Sequence, residues 1–203
     1  LMDIRDKILQ RQLKEDSEIF RNSSLSILGC GGLGSNIAMM VARSGVGKIH
    51  IFDYDKVEYS NLNRQNYGTC QLGLKKVLAS KDLIERVLPY AKVYAHDVFL
   101  NEDKMTSYLD TADIFIEAFD KKESKRFALD FFLDHPEKHL ICASGLSGLG
   151  SLEDIRIKKF ANITMIGDFE SQTKDGLYAP YLMTIASLEA LEALKLLRRY
   201  HER

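Results

Sequence analysis

Apolar and polar residues follow two periods along this chain, and the switching between them lays out its elements. Ile4, Ile8, Leu9, Leu13 and Phe20 fall near one side of a helical projection, so residues 3–21 are predicted to form an amphipathic helix. The run SLSIL at 24–28 predicts a short buried strand, which leads into the glycine-rich turn GCGGLG at 29–34. SNIAMMVAR then predicts a helix, with Ser35 near its start and Gly45 just past its end. KIHIFD at 48–53 is a second strand, ending on Asp53.

The alternation continues beyond it. Residues 54–71 read as a long polar loop, 73–88 as a helix stopped by Pro89, 91–97 as a strand and 101–110 as a helix. A strand at 111–120, a helix at 122–134 and a strand at 138–145 follow. Strands alternating with helices predict an α/β fold, Rossmann-like, whose mostly parallel sheet is covered by helices on both faces. After Gly150 the rhythm changes. SLEDIRIKKF and NITMIGDF are two β-like runs without a helix between them, which predicts a hairpin or short antiparallel extension. A long C-terminal helix over 179–200 closes the chain, with Pro180 in its first turn and Arg198 and Arg199 in its last.

Length and composition narrow this picture. A chain of 203 residues suits one domain, here an N-terminal helix within 1–22, a core over 23–150 and the extension with its closing helix over 151–203. The formal net charge of -1 gives no basic excess, so nucleic acid is not the expected partner. Nowhere do 18 apolar residues run together, and the N-terminal stretch alternates charged with apolar positions, so neither a membrane span nor a signal peptide is expected. Cys30, Cys70 and Cys142 form no C-x-x-C pair, which argues against a zinc site and for reduced thiols in a cytoplasmic protein. Cys142, Met39 and Met40 fall on predicted buried elements and read as core.

The chemistry begins at the glycine turn. GCGGLG fits G-x-G-x-x-G between a strand and a helix, where the backbone must turn tightly and a phosphate must approach without a Cβ in the way. The same glycines also serve a turn needed only for strand–helix packing. Asp53 ends the next strand, about 20 residues on, the placement of a ribose-binding acid. Asp55 lies past the strand end and reads as a loop-capping residue. NAD and ATP fit these features equally well. Arg64 in SNLNRQ and Lys76 in GLKK follow, and a guanidinium and an ammonium on one set of phosphates suit a triphosphate better than a nicotinamide dinucleotide. Taken singly, each is also a plain solvated cation.

The strings GCGGLGSNIA, IFDYDKVEYSNLNRQNY, GLKK and EAFD together resemble the ThiF/MoeB family, bacterial relatives of the ubiquitin-activating E1 enzymes. The resemblance runs from about Ser24 to the C-terminal helix, and the short length, ASGLSGLGS and the GLYAP segment are most similar to the short ThiF-like branch. It implies a homodimeric, ATP- and Mg²⁺-dependent adenylyltransferase acting on the Gly-Gly C-terminus of a small ubiquitin-like sulfur carrier, the thiamine carrier ThiS for that branch. It also implies roles. Gly29, Gly31, Gly32 and Gly34 would cradle ATP, Asp53 would hold the ribose, and Asn61 and Arg64 the phosphates. Lys76 would stabilise charge at the α-phosphate, and Asp120, at the end of the fourth strand, would hold Mg²⁺. Arg11, or else Arg5, would reach the neighbouring subunit's ATP.

Three departures qualify the implication. Lys121 stands where the family often has Asn, the zinc-binding C-x-x-C pairs of longer members are missing, and the segment 166–171 holds no cysteine for a covalent link to the carrier. Adenylation without zinc and without a covalent enzyme–carrier sulfur bond is therefore expected. The rival readings are an enzyme adenylating a molybdopterin-type carrier or a modified tRNA base, a non-catalytic E1-like scaffold, and a nicotinamide oxidoreductase.

Overall fold

The computed structural model describes residues 3–201. Its strands are β1 (Ser24–Leu28), β2 (Lys48–Asp53), β3 (Lys92–Asp97), β4 (Ile114–Glu117), β5 (His139–Ala143), β6 (Arg156–Phe160) and β7 (Ile163–Gly167). Its helices are α1 (Ile4–Ile8), α2 (Lys14–Asn22), α3 (Gly32–Arg43), α4 (Lys76–Val87), α5 (Glu102–Tyr108), α6 (Lys122–Leu133) and α7 (Ala179–His201). The strands form one sheet in the order β3-β2-β1-β4-β5-β7-β6. Every pairing is parallel except that of β6 with β7, so the expected antiparallel extension is a hairpin at one edge.

Side-chain alternation along the strands divides the core in two. Leu25, Ile27, Ile114, Ile116 and Ile141 face a cluster with α3 and α7, whereas Leu28, Phe115, Leu140 and Cys142 face Phe131 and Phe132 of α6 and Met105 of α5. Burial on both faces is what a parallel sheet between helical layers requires, and it explains the nearly continuous apolar runs of these strands. α7 lies along α3 and buries Leu182, Ile185, Ala186, Ala190, Ala193 and Leu197, with small residues where the helices approach.

The chain order reverses at β1, which has β2 on one side and β4 on the other. A crevice opens at such a reversal, outside the carboxyl ends of the strands, and ligands of open α/β sheets bind there.

Two expectations need correction. The single N-terminal helix over 3–21 is two helices broken at 9–13, with Ile4, Ile8 and Leu13 left exposed. The break has a tertiary cause. Leu9 is buried against Gly45 (φ +91°), and the buried Arg5 donates to the Gly45 carbonyl, so the chain bends to place both beneath the end of α3. The strand expected at 111–120 is shorter and stops at Glu117, which puts Asp120 in the following loop.

Candidate active site

The site is built from the carboxyl end of β1 outward. Gly29 has φ +111°, and a Cβ there would stand 2.6 Å from the Ala118 carbonyl, so only glycine lets the turn cross the strand end of β4. At Gly34 a Cβ would meet the Gly29 carbonyl at 1.9 Å, which makes it a packing glycine. Gly31 differs, because its nearest neighbour to such a Cβ is Gln65 Nε2 at 4.0 Å. α3 begins at Gly32, with Gly31 at its N-cap and no side-chain cap or first-turn acid among the described residues. Its first N–H groups and the positive end of its dipole are left for an anion.

Asp53 is fixed by this turn. One carboxylate oxygen accepts from Cys30 N at 2.7 Å and the other from Asp55 N at 2.8 Å. Burial, then the neighbouring Asp53, pushes the Cys30 thiol up to about 12, which leaves it a neutral packing group.

The polar loop after β2 is pinned to α3 and α4. Asn36 Nδ2 donates to the Arg64 carbonyl at 2.9 Å, and Asn66 N donates to Ser35 Oγ at 3.0 Å. Tyr67 OH donates to the Cys30 carbonyl at 2.7 Å. Arg64 is thereby held at the glycine turn, its guanidinium donating to the Ser60 carbonyl at 2.9 Å and Asn63 Oδ1 at 2.8 Å. Lys76 opens α4, its side chain 9% exposed and its Nζ 2.9 Å from Asp55 Oδ2.

These groups converge on a cleft of about 660 Å³ at the chain reversal. Gly29, Gly31, Gly32, Asp53, Arg64, Lys76 and Asp120 all line it. Six cations (Arg64, Lys76, Lys121, Lys122, Lys125, Lys174) and four carboxylates (Asp53, Asp55, Asp120, Glu170) line it, and with Lys125 paired to the buried Glu117 at 3.0 Å a small cationic excess is left in a chain of net charge -1. A low-dielectric crevice with that bias concentrates anions.

Two residues expected to bind the nucleotide stand outside the lining. Gly34 is packed under Gly29, and Asn61 is buried with Oδ1 accepting from Glu58 N at 3.0 Å, a turn-capping contact. Arg5 is spent on backbone carbonyls, which removes it as an alternative to the exposed Arg11. Lys121 stands at the N-cap position of α6 without capping it through its side chain, and its ammonium lies 3.4 Å from Tyr54 OH, a contact that raises its pKa.

Other cleft residues were not legible as such. Asp55 is the partner of Lys76 rather than a loop cap. Gln65 lines the cleft with its Nε2 nearest the Gly31 position and its buried Oε1 without a hydrogen-bond partner, and its place next to Arg64 in SNLNRQ was the available signal. Residues 144–147 and 169–172 line the half of the cleft beyond β5 and β7. That wall is built around Asp168, whose carboxylate accepts from Glu170 N at 2.8 Å, Ser171 N at 2.7 Å and Tyr181 OH at 2.9 Å. Burial alone would raise Asp168, but these hydrogen bonds prevail and hold it low.

Among the described residues, no three His, Cys, Asp or Glu side chains cluster as a metal site. Mg²⁺ commonly takes one or two carboxylates and completes its shell with phosphates and waters, and Asp120, which lines the cleft, would fit that mode.

A glycine turn, a fixed acid and flanking cations at a sheet reversal define a nucleotide-binding α/β protein. The ThiF family model matches residues 5–203, and the chain belongs to the ThiF family. It is 35% identical over 126 residues to ubiquitin-like modifier-activating enzyme 5 of Caenorhabditis briggsae, covering 62% of this chain and 28% of that protein. It is 30% identical over 203 residues to the adenylyltransferase and sulfurtransferase MOCS3 of Aedes aegypti, covering 93% of this chain and 44% of that one. The chain thus spans less than half the length of these curated relatives. The Escherichia coli tRNA N6-threonylcarbamoyladenosine dehydratase TcdA, solved with AMP, superposes with a TM-score of 0.87 at 19% identity, covering 97% of this chain and 95% of that chain. That likeness shows a shared fold.

Proposed function

We propose that this chain adenylates the C-terminal carboxylate of a small ubiquitin-like sulfur carrier ending in Gly-Gly, with the thiamine carrier ThiS as the first candidate. The observation that carries the reading is the convergence of Asp53, Arg64, Lys76 and Asp120 on one cleft at the amino end of α3. Asp53, already held by two backbone N–H groups, presents its remaining lone pairs to the ribose hydroxyls. The turn and α3 take the phosphates.

The carboxylate of the carrier attacks the α-phosphorus. A P–O bond forms to the acyl oxygen, the bond to the bridging oxygen breaks, and pyrophosphate leaves with the electron pair. A carboxylate is ionised at neutral pH, so no general base is needed. The obstacle is the approach of one anion to another, and Lys76 and Arg64 offset it by neutralising charge on the phosphates. Mg²⁺ held by Asp120 and the phosphates would add Lewis-acid stabilisation of the same charge. The cleft half beyond β5 and β7 is the natural path for an unbranched tail.

The test is ATP–pyrophosphate exchange. It is expected to depend on a carrier ending in Gly-Gly, and Lys76→Ala or Asp120→Ala is expected to lower it at least about a hundredfold with the fold retained. Undiminished exchange in both variants would refute the site, and dependence on tRNA instead of a carrier would refute the acceptor.

A further inference from the structure

The string EAFD begins on Glu117 and ends on Asp120, and its two acids sit in opposite surroundings. Asp120 is exposed on the cleft wall and makes no hydrogen bond or ion pair among the described residues. Its carboxylate is therefore aimed only by the backbone that carries it. Glu117 is 1% exposed and ends β4, between Leu28 of β1 and Cys142 of β5. Its Oε1 accepts from the Phe119 N–H at 2.6 Å and from Lys125 Nζ at 3.0 Å, and its Oε2 accepts from the same ammonium at 3.1 Å.

These contacts bracket Asp120 on both sides. Phe119 precedes it, and the Ala118 N–H before that donates to the Leu28 carbonyl at 2.8 Å. Lys125 lies in the opening turns of α6, which starts two residues after Asp120, and its own N–H donates to the Lys121 carbonyl at 3.0 Å. One buried carboxylate thus ties the loop 118–121 to the end of β4 and to α6 at once. Both of its oxygens act as acceptors, which only the ionised acid allows. Burial raises its pKa, and Lys125 and the Phe119 N–H oppose the rise. A buried ion pair is seldom a net source of stability against apolar side chains of the same volume, so stability alone does not account for this one.

We propose that Glu117 is a positioning residue which, through the Phe119 N–H and Lys125, fixes the loop that aims Asp120 at the phosphates and metal of the bound nucleotide. Glu117 itself touches neither. It acts by holding still an acid that has no side-chain support of its own, and the groups that orient a metal-binding carboxylate commonly matter tenfold or more to metal affinity. The proposal rests on the nucleotide reading given above and on the place of Asp120 in it.

Calorimetric titration of ATP into the full chain, once with Mg²⁺ and once in EDTA, gives a ratio of affinities that isolates the metal contact. The ratio is expected to fall about tenfold in Glu117→Gln, whose amide offers one acceptor oxygen where two are used. The same fall is expected in Lys125→Met, which cuts the tie to α6 and keeps the unbranched stem. The two substitutions change the local charge in opposite directions, so a purely electrostatic effect would move the EDTA affinities apart and leave the ratio. Loss of folded protein lowers binding equally in both conditions and leaves it too. The Lys125 side chain is 25% exposed, so Lys125→Met decides the matter if Glu117→Gln does not fold. A ratio at the wild-type value in either folded variant, or a wild-type affinity indifferent to Mg²⁺, overturns the positioning role while leaving the nucleotide reading in place. Failure of the wild-type chain to bind ATP in either condition removes both.

Discussion

Glu189 lies fully buried on α7, and neither of its carboxylate oxygens has a hydrogen-bond partner. Burial pushes its pKa well above 4.5, with Glu117 adding to the rise and Lys125 opposing it. The acid is thus held neutral in the folded chain, as an unpaired carboxylate in such surroundings must be. A raised folded-state pKa makes stability greatest below the unfolded value of about 4.5, and that stability is lost as pH rises toward the folded value. Glu189→Gln removes the loss. It is expected to raise stability at pH 8 by about 1–3 kcal/mol over the wild type, and by less at pH 5, read from denaturant midpoints at the two pH values. An equal change at both would show that packing rather than ionisation sets the effect. Nothing in the sequence around Glu189 marks it out. It looks like one more polar position on a long helix, and only the packing of α7 on the sheet reveals its burial. Lys76 and Arg64, by contrast, stood out from motif and resemblance, and both line the cleft.

At the scale of elements, the β1–turn–α3 unit separates glycines that look alike in GCGGLG. Gly34 touches the Gly29 carbonyl, so an added methyl has nowhere to go, whereas Gly31 faces the cleft with space around it. Gly34→Ala is expected to cost more than about 3 kcal/mol and to yield little folded protein. Gly31→Ala is expected to stay within about 1 kcal/mol of the wild type in chemical denaturation yet lose about tenfold in ATP affinity, since its methyl enters the phosphate site. Equal destabilisation by the two substitutions would mean that the turn has a packing role alone. The spacing of the glycines was readable in the sequence because strand, turn and helix are contiguous. Gly34 is closed off by its own turn at Gly29, but that Gly29 packs on Ala118 and that Gly31 faces open space near Gln65 depend on residues distant in the chain.

For the whole molecule, the N-terminal helices mark the end away from the cleft. Arg5 and Leu9 pack at Gly45, beyond the far end of α3, a helix of 12 residues and so about 18 Å long. Arg11, two residues past Leu9, is exposed there and distant from its own cleft. A role in nucleotide binding then requires a second copy of the chain. If the homodimer that the family resemblance implies places Arg11 in its partner's cleft, Arg11→Ala and Lys76→Ala chains are each inactive alone. Mixed after unfolding and refolding together, they are expected to recover roughly a quarter of wild-type exchange, because half the dimers are mixed and each carries one intact site. Recovery no greater than the sum of the separate variants would confine Arg11 to its own subunit or to no role.

The sequence by itself determined what local order can encode. The strand–helix alternation, the glycine turn, the acid Asp53 at the end of β2 and the edge hairpin all lie within short contiguous stretches whose periodicity and turn chemistry are self-contained. It also marked two cations of the cleft, Arg64 and Lys76, through the strings SNLNRQ and GLKK. Tertiary structure decided the remainder. It broke the N-terminal helix by seating Leu9 and Arg5 under Gly45, and it turned Asn61 inward as a turn cap. It paired Lys76 with Asp55, and it brought Phe99, from beyond β3, against Tyr54. Each of these outcomes depends on residues far apart in the chain that the parallel sheet places side by side, and helical or strand periodicity carries no record of such neighbours.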